Sequence, residues 1–294
     1  MLKHRLLYGT LMTLFFTGIV IFDGWMDGSL TASAVDKPIQ ATLLFILVSV
    51  LIIPAQLELA KLAAAKKLTI FTPVSIIASI VFAGTWYWTQ LINGPGHPFR
   101  EIQLLRYFCF TSAFSLFGLL LYQYFRYGSS DVISNCGASY FSIVYIGLLS
   151  AFILGIRIDF GLWPILMFIF VVKSADIGAY AIGTLFGRHK FSPNISPGKT
   201  WEGMAGAAAT AVIVALLFAA GFDIMSLSCA VIFGFCLSFI GQLGDLVESM
   251  MKRDAEQKDS SRNVPGFGGI LDIIDSPLFA APFAYLFFMF VIAG

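Results

Sequence analysis

The sequence predicts an all-α, polytopic transmembrane bundle of about nine spans, folded as a single integral membrane domain over residues 1–294. Two observations predict it. The chain is 58% hydrophobic and only 12% charged, with a mean hydropathy of +0.86, whereas a soluble domain carries roughly 25% charged residues. Too few charges remain to cover a water-facing surface, so lipid is the solvent for most of the chain. In addition, apolar stretches of about 20 residues, long enough to cross a bilayer, recur along its whole length.

Taken in order, the expected spans are Leu7–Gly24, Ala41–Ala60, Ile70–Trp88, Leu104–Phe125, Ser139–Ile156, Leu162–Leu185, Met204–Phe222, Leu227–Val247 and Ile274–Ala293. The first follows Lys3 and Arg5 and precedes an Ala32-Ser33-Ala34 triplet, as a signal peptide would. The polar run Asp23–Ser29 separates it too far from that triplet, so a retained first span is expected. The sixth and eighth spans are least sharply bounded at their C-terminal ends, where polar residues accumulate. Residues 1–160 supply the N-terminal spans, and residues 161–294 the chemistry-bearing spans and loops. No polar segment exceeds about 30 residues, too short for an independent core. No internal repeat is evident, which argues against a transporter built on inverted repeats. Cys109, Cys136, Cys229 and Cys236 show no CxxC or Cys/His spacing and read as small apolar residues buried in spans. A net charge of +1 gives no global field for nucleic acid.

The distribution of Lys and Arg sets orientation. With the N-terminus inside, the inner segments hold Lys3, Arg5, Lys61, Lys66, Lys67, Arg126, Arg188, Lys190, Lys199, Lys252, Arg253, Lys258 and Arg262. The outer side holds Lys37, Arg100, Arg106 and Arg157, and Lys173 lies within a span. This bias puts the N-terminus inside and the C-terminus outside. It also places the two most polar loops, Gly187–Gly203 and Glu248–Asp272, together in the cytoplasm, where nucleotides are.

Acidic residues within spans cost roughly 2.5–3.5 kcal/mol each and mark wet cavities, metals or ion partners. Here they cluster late: Asp176, Asp245, Glu248, Asp272 and Asp275. If the eighth span continues as helix, Asp245, Glu248, Ser249 and Lys252 share one face at i, i+3, i+4 and i+7. That face is either an amphipathic helix end with an internal acid–lysine pair or the wall of a site. The run Pro265-Gly266-Phe267-Gly268-Gly269 follows Lys258 and Arg262. It is either an interhelical turn or a turn whose Gly266, Gly268 and Gly269 let backbone N–H groups approach a phosphate. Asp272 and Asp275 open the last span at i and i+3. Capping accounts for one such carboxylate better than for two. Asp245, Asp272 and Asp275, with no His or Cys nearby, form a hard-oxygen set suited to Mg²⁺ shared with substrate phosphates. Carboxylates, cations and a glycine turn together point to metal-assisted phosphoryl or nucleotidyl transfer. Lys199 and Thr200 precede a helix start, where N–H groups favour an anion, but the spacing is not that of a Walker A loop. Asp176 is either a structural acid or part of the same cavity. Glu58 and Lys61, about one turn apart, are either an ion pair or part of a lipid head-group path.

Several of these blocks resemble the phosphatidate cytidylyltransferase (CDP-diacylglycerol synthase) family. Ser196-Pro197-Gly198-Lys199-Thr200-Trp201-Glu202-Gly203 resembles that family's SPKKTWEG segment, and Asp176–Tyr180 its D-x-x-A-Y element. Ser249-x-x-Lys252-Arg253, Lys258-Asp259, Pro265–Gly269 and Asp272-Ile273-Ile274-Asp275 resemble its signature S-x-x-K-R, K-D, P-G-H-G-G and D-R-x-D. The motif-level match covers Asp176 to Pro282.

The resemblance implies the reaction CTP + phosphatidate → CDP-diacylglycerol + pyrophosphate, with Mg²⁺ and a monovalent cation such as K⁺. It implies metal ligands at Asp245, Asp272 and Asp275, with Lys252 as a catalytic cation and Arg253 and Lys258 on phosphates. It also implies substrate contacts from Asp176, Lys199, Thr200, Ser249, Asp259 and the turn glycines. The family is a homodimer whose cavity opens to the cytoplasm and to lipid, in the bacterial inner membrane. Two positions depart from the pattern: Phe267 stands for the family's His and Ile273 for its Arg. Neither side chain can bind a phosphate. An enzyme acting on another lipid phosphate or a lipid alcohol therefore remains an alternative, beside an ion-coupled transporter and a non-catalytic scaffold.

Overall fold

A computed structural model describes residues 2–30, 39–93, 100–257, 260–261 and 268–292. Among these the chain is helical, with no strands and one isolated bridge between Lys190 and Thr200. The helices are α1 (Leu2–Met26), α2 (Thr42–Ala65), α3 (Thr72–Ala83), α4 (Thr85–Asn93), α5 (Arg100–Arg126), α6 (Val132–Ser142), α7 (Leu149–Phe160), α8 (Leu162–Phe186), α9 (Trp201–Phe222), α10 (Leu227–Asp254) and α11 (Leu271–Ile292). A π-helical turn, Ile143–Leu148, joins α6 to α7, so that Val132–Phe160 runs as one span.

Among the described residues, seven helical segments are long and apolar enough to cross a membrane, and α3 with α4 makes an eighth if that bent pair is one span. The apolar part of α1, Leu11–Met26, is shorter. Each expected span overlaps helix among the described residues, Ala293 lying outside them, with two differences of shape. The third expected span, Ile70–Trp88, is broken by a 62° bend between α3 and α4. Gly84 sits at the bend, where an added Cβ would overlap the rings of Trp88 and Phe45. Thr85 Oγ1 there donates to the Phe82 carbonyl at 2.7 Å, turning a polar group back onto the helix it follows. The eighth span does not stop at Val247. It continues as helix to Asp254 and carries its charged face with it.

The core lies between α2, α7, α8, α9, α10 and α11, around residues such as Ile52, Leu154, Phe168, Val171, Ala211, Phe233 and Ala281. Lipid-like side chains cover the outside: Phe110, Phe114, Phe117 and Phe125 of α5 are all exposed. That surface is what a bilayer, in place of water, requires. The cysteines are free, but the expectation that they are buried holds only in part. Cys136 is buried, whereas Cys109 and Cys236 are exposed on the apolar surface. A thiol is apolar enough to face either protein or lipid.

Candidate active site

Asp176, Asp245, Glu248, Asp272 and Asp275 meet Lys173, Lys199 and Lys252 at one end of the bundle. Gly244 of α10 brings this about. A Cβ there would come within 2.8 Å of the Phe279 Cβ and 3.0 Å of the Asp275 carbonyl, so α10 and α11 approach as only small residues allow. The approach sets Asp245 and Glu248 of α10 against Asp275 of α11. One carboxylate oxygen from each lies within 4.8 Å of the others. Glu248 and Asp275 are 1% and 3% exposed, while the Asp245 side chain is 38% exposed. The cluster is therefore deep on one side and open on the other.

Lysines surround it. Lys199 Nζ lies 2.8 Å from Asp245 Oδ2 and donates to the Gln242 carbonyl at 2.9 Å. Lys252, one turn beyond Glu248, lies 2.6 Å from Glu248 Oε2 and 2.5 Å from Asp272 Oδ1. Lys173 of α8 donates to Asp176 Oδ2 at 3.4 Å and to the Ile273 carbonyl at 2.8 Å. Gln242 Nε2 reaches Asp176 Oδ1 at 3.3 Å and so joins α8 to α10. Fully ionised, the five carboxylates and three lysines leave a formal charge of −2. Glu248 Oε1 is buried with no hydrogen-bond partner among the described residues. A buried, unpartnered carboxylate oxygen is costly unless something cationic occupies the space before it. Excess negative charge, all-oxygen donors and that orphaned atom fit a hard divalent cation.

Asp272, expected among the metal ligands, is not in the cluster of three. Its Oδ2 accepts from Gly269 N–H at 2.6 Å, Ser260 N–H at 3.3 Å and Ser260 Oγ at 2.9 Å, and its Oδ1 takes Lys252. It reaches back from the first turn of α11 as a capping acid does, while Asp275, one turn on, faces Asp245. Of the two carboxylates at this helix start, one caps and one enters the cluster. Glu248 takes the third place.

The segment before α9 folds back on itself to present Lys199. His189 and Arg188 N–H groups donate to Glu202, Trp201 N–H donates to the His189 carbonyl at 2.9 Å, and Phe191 N–H to that of Lys199 at 3.3 Å. Thr200 is the N-cap of α9, its Oγ1 accepting Gly203 N–H at 3.1 Å. Ser249 is half-buried on α10. Arg253 is exposed, and its Nε donates to the Ile195 carbonyl at 3.2 Å. Gly268 has φ +101°, a left-handed conformation that favours glycine, and lies against Asp272. Lys258, Asp259, Gly266 and Phe267 lie outside the described residues.

Two participants, Gln242 and Lys173, were not singled out from the sequence, and Glu248 was placed on the charged face of α10 but not among the expected metal ligands. Glu248 and Gln242 stand one turn either side of Asp245, and Lys173 one turn before Asp176, so i±3 spacing from a recognised acid was the available signal.

A sequence model of the cytidylyltransferase family matches residues 3–291, nearly the whole chain. The chain belongs to that family. Among curated proteins it is 41% identical over 145 residues to a phosphatidate cytidylyltransferase of Haemophilus influenzae, covering 45% of this chain and 48% of the relative. It is 44% identical over 146 residues to the Bacillus subtilis protein of the same name, covering 48% and 54%. The chain spans about half the length of the curated relatives it matches. Membership accounts for the two features that composition alone left unconnected, an apolar bundle and a carboxylate–lysine cluster at one of its ends.

Proposed function

We propose that this chain transfers CMP from CTP to phosphatidate, releasing pyrophosphate and forming CDP-diacylglycerol, at the cytoplasmic side of a bacterial inner membrane. The observation that carries the reading is the meeting of Asp245, Glu248 and Asp275, with Glu248 Oε1 left without a partner, beside Lys199 and Lys252. Family membership and the names of the relatives support the same reaction. The Lys and Arg bias supports the cytoplasmic side, because Lys66, Lys199 and Lys252 all stand at the site's end of the bundle, where Lys66 pairs with Asp254 at 3.2 Å.

Asp245, Glu248 and Asp275 would hold Mg²⁺, with Asp272 behind them on Lys252 and K⁺ as a companion ion. When bound, the divalent ion supplies charge neutralisation at the triphosphate. The rest falls to the chain's own side chains. The lipid phosphate is already an anion at neutral pH, so no protein nucleophile is required; one of its oxygens attacks the α-phosphorus of CTP in line as the bond to pyrophosphate breaks. Lys199, at the open side of the cluster, orients the triphosphate. Lys252, held between two acids, offers the leaving pyrophosphate a fixed ammonium. Ile273 has no charge, but Lys173 Nζ on its carbonyl keeps a cation at that position. That supports phosphatidate over an acceptor without a phosphate.

Purified protein given CTP labelled at either the α- or the γ-phosphate tests this. Label should pass to lipid only from the α-position, with phosphatidate the best of a panel of lipid phosphates, and EDTA should stop it. Transfer of the γ-label would show a lipid kinase. Ion flux in proteoliposomes with no CTP turnover would show a carrier.

A further inference from the structure

Glu58 lies on α2, in the N-terminal half of the chain, and is 1% exposed. A buried carboxylate is costly unless hydrogen-bonded, and this one is fully engaged by distant residues. Oε1 accepts from Ser261 Oγ at 2.7 Å and Ile270 N–H at 3.1 Å; Oε2 accepts from Leu271 N–H at 2.9 Å and lies 3.1 Å from Ser260 Oγ. A carboxylate offers about four lone-pair sites, and the described residues alone bring four donors to it.

The donors come from both ends of the connection between α10 and α11. Leu271 is the first residue of α11 and Ile270 the residue before it, and their N–H groups have no partners within the helix. A negative charge there also suits the helix dipole. Glu58 therefore caps α11 from another helix. Gly269 makes the approach workable, since a Cβ there would overlap both Ser260 Oγ and Glu58 Oε2. Ser260 Oγ shares its single proton between Glu58 and Asp272 Oδ2. Asp272 holds Lys252, and Lys252 holds Glu248. An unbroken polar chain thus runs from α2 to the carboxylate cluster.

We infer that Glu58 is a positioning residue for the reaction: it fixes residues 260–261 and 268–271 so that Asp272 keeps Lys252 against Glu248. The inference rests on the functional reading above, because positioning has meaning only for a site that turns over. It also assigns Glu58 a role away from the lipid head-group path.

The test compares the full-length protein with Glu58→Gln and Glu58→Ala in lipid nanodiscs, by amide hydrogen exchange and by CMP-transfer kinetics. Exchange at Ile270 and Leu271 should quicken by about tenfold or more, while α8 and α9 keep their protection. Because the lesion misplaces Lys252, which meets the leaving group, and leaves Lys199 on the triphosphate, kcat should fall about 10- to 100-fold with the KM for CTP changing less than about threefold. Glu58→Gln, which keeps one acceptor oxygen, should lie between wild type and Glu58→Ala, and it carries the test if the alanine variant does not fold. Unchanged exchange at Ile270 and Leu271 would overturn the clamp. Quickened exchange with wild-type kcat would overturn its positioning role. A wild-type protein without CMP transfer would sink the functional reading alone, and exchange would still decide whether Glu58 holds the segment.

Discussion

Two groups of charges are buried in this apolar bundle, and they are built differently. Between α1 and α7, Arg157 is fully buried, 2.5 Å from Asp27 Oδ2 and 3.6 Å from Asp23 Oδ2, and donates to Ser29 Oγ at 2.9 Å. Asp23 also accepts Leu43 N–H at 2.8 Å and ties in α2. Asp23 and Asp27 are 2% and 5% exposed, so nothing reaches this group from outside. At the other end of α8 and α11 stands the acid–lysine cluster, with Asp245 and Asp176 about a third exposed and two acids in excess of its lysines. The first group joins helices. The second is open on one side and holds more acids than lysines. In lipid, where a lone charge costs several kcal/mol, sealing marks structure, and an accessible surplus of one sign marks a place for a ligand.

The largest effect expected from this contrast is on stability. Arg157→Ala leaves two acids buried without their cation and should cost about 3–5 kcal/mol. Thermal unfolding in detergent should show the loss, while CMP transfer per folded molecule stays at wild-type level. A variant that folds as well as wild type would show that the α1–α7 group is not structural.

Asp275→Asn should do the reverse. It removes a charge from an acid-rich cluster without changing shape, so stability should hold or rise. On the proposed function Asp275 is a metal ligand, and losing one worth several kcal/mol of transition-state stabilisation should lower CMP transfer by at least about a hundredfold. Glu248→Gln should behave alike, and both should weaken Mn²⁺ binding measured without nucleotide. If Asp272→Asn alone abolished Mn²⁺ binding, Asp272 and not Glu248 would be the third ligand.

How far these regions were legible follows from the physics each depends on. Hydropathy located the seven helices long and apolar enough to cross a membrane and the bent α3–α4 pair, because the bilayer thickness acts on stretches of sequence directly. The bend at Gly84 escaped it, because that bend depends on the rings of Phe45 and Trp88 closing around a residue without a side chain. The acids of the site were visible as expensive residues, and helical spacing put Asp245, Glu248 and Lys252 on one face. The division of labour between Asp272 and Asp275 was not visible. It depends on the backbone turn at Gly268 and Gly269, which points the N–H of Gly269 at Asp272. Glu58 was least legible of all: it looked local to Lys61, and its partners come from the far end of the chain.

Lys199→Met should have a smaller effect. Its ammonium lies at the open side of the cluster, bound to Asp245 and to the Gln242 carbonyl, where incoming phosphate can replace both. Losing one charge-assisted hydrogen bond to the triphosphate, about 1.5–3 kcal/mol, should raise the KM for CTP about tenfold or more. The KM for phosphatidate should change little. A fall in kcat alone, with CTP affinity unchanged, would place Lys199 beside Asp245 for structural reasons only, like Arg157 beside Asp27.

The smallest effect belongs to the residue next to it and separates the two kinds of role within one dipeptide. Thr200 is buried, and its Oγ1 accepts the Gly203 N–H as the N-cap of α9. Thr200→Ala removes that acceptor and should cost about 1 kcal/mol of stability, with Thr200→Ser restoring it because the hydroxyl is kept. The KM for CTP should stay within about threefold of wild type, a change of less than about 1 kcal/mol. A larger rise in both Thr200→Ala and a serine variant of full stability would mean that the methyl-bearing side chain also shapes the nucleotide's seat. In that event the boundary between sealed and open charge runs through Thr200 itself, and the start of α9 belongs to the site together with Lys199.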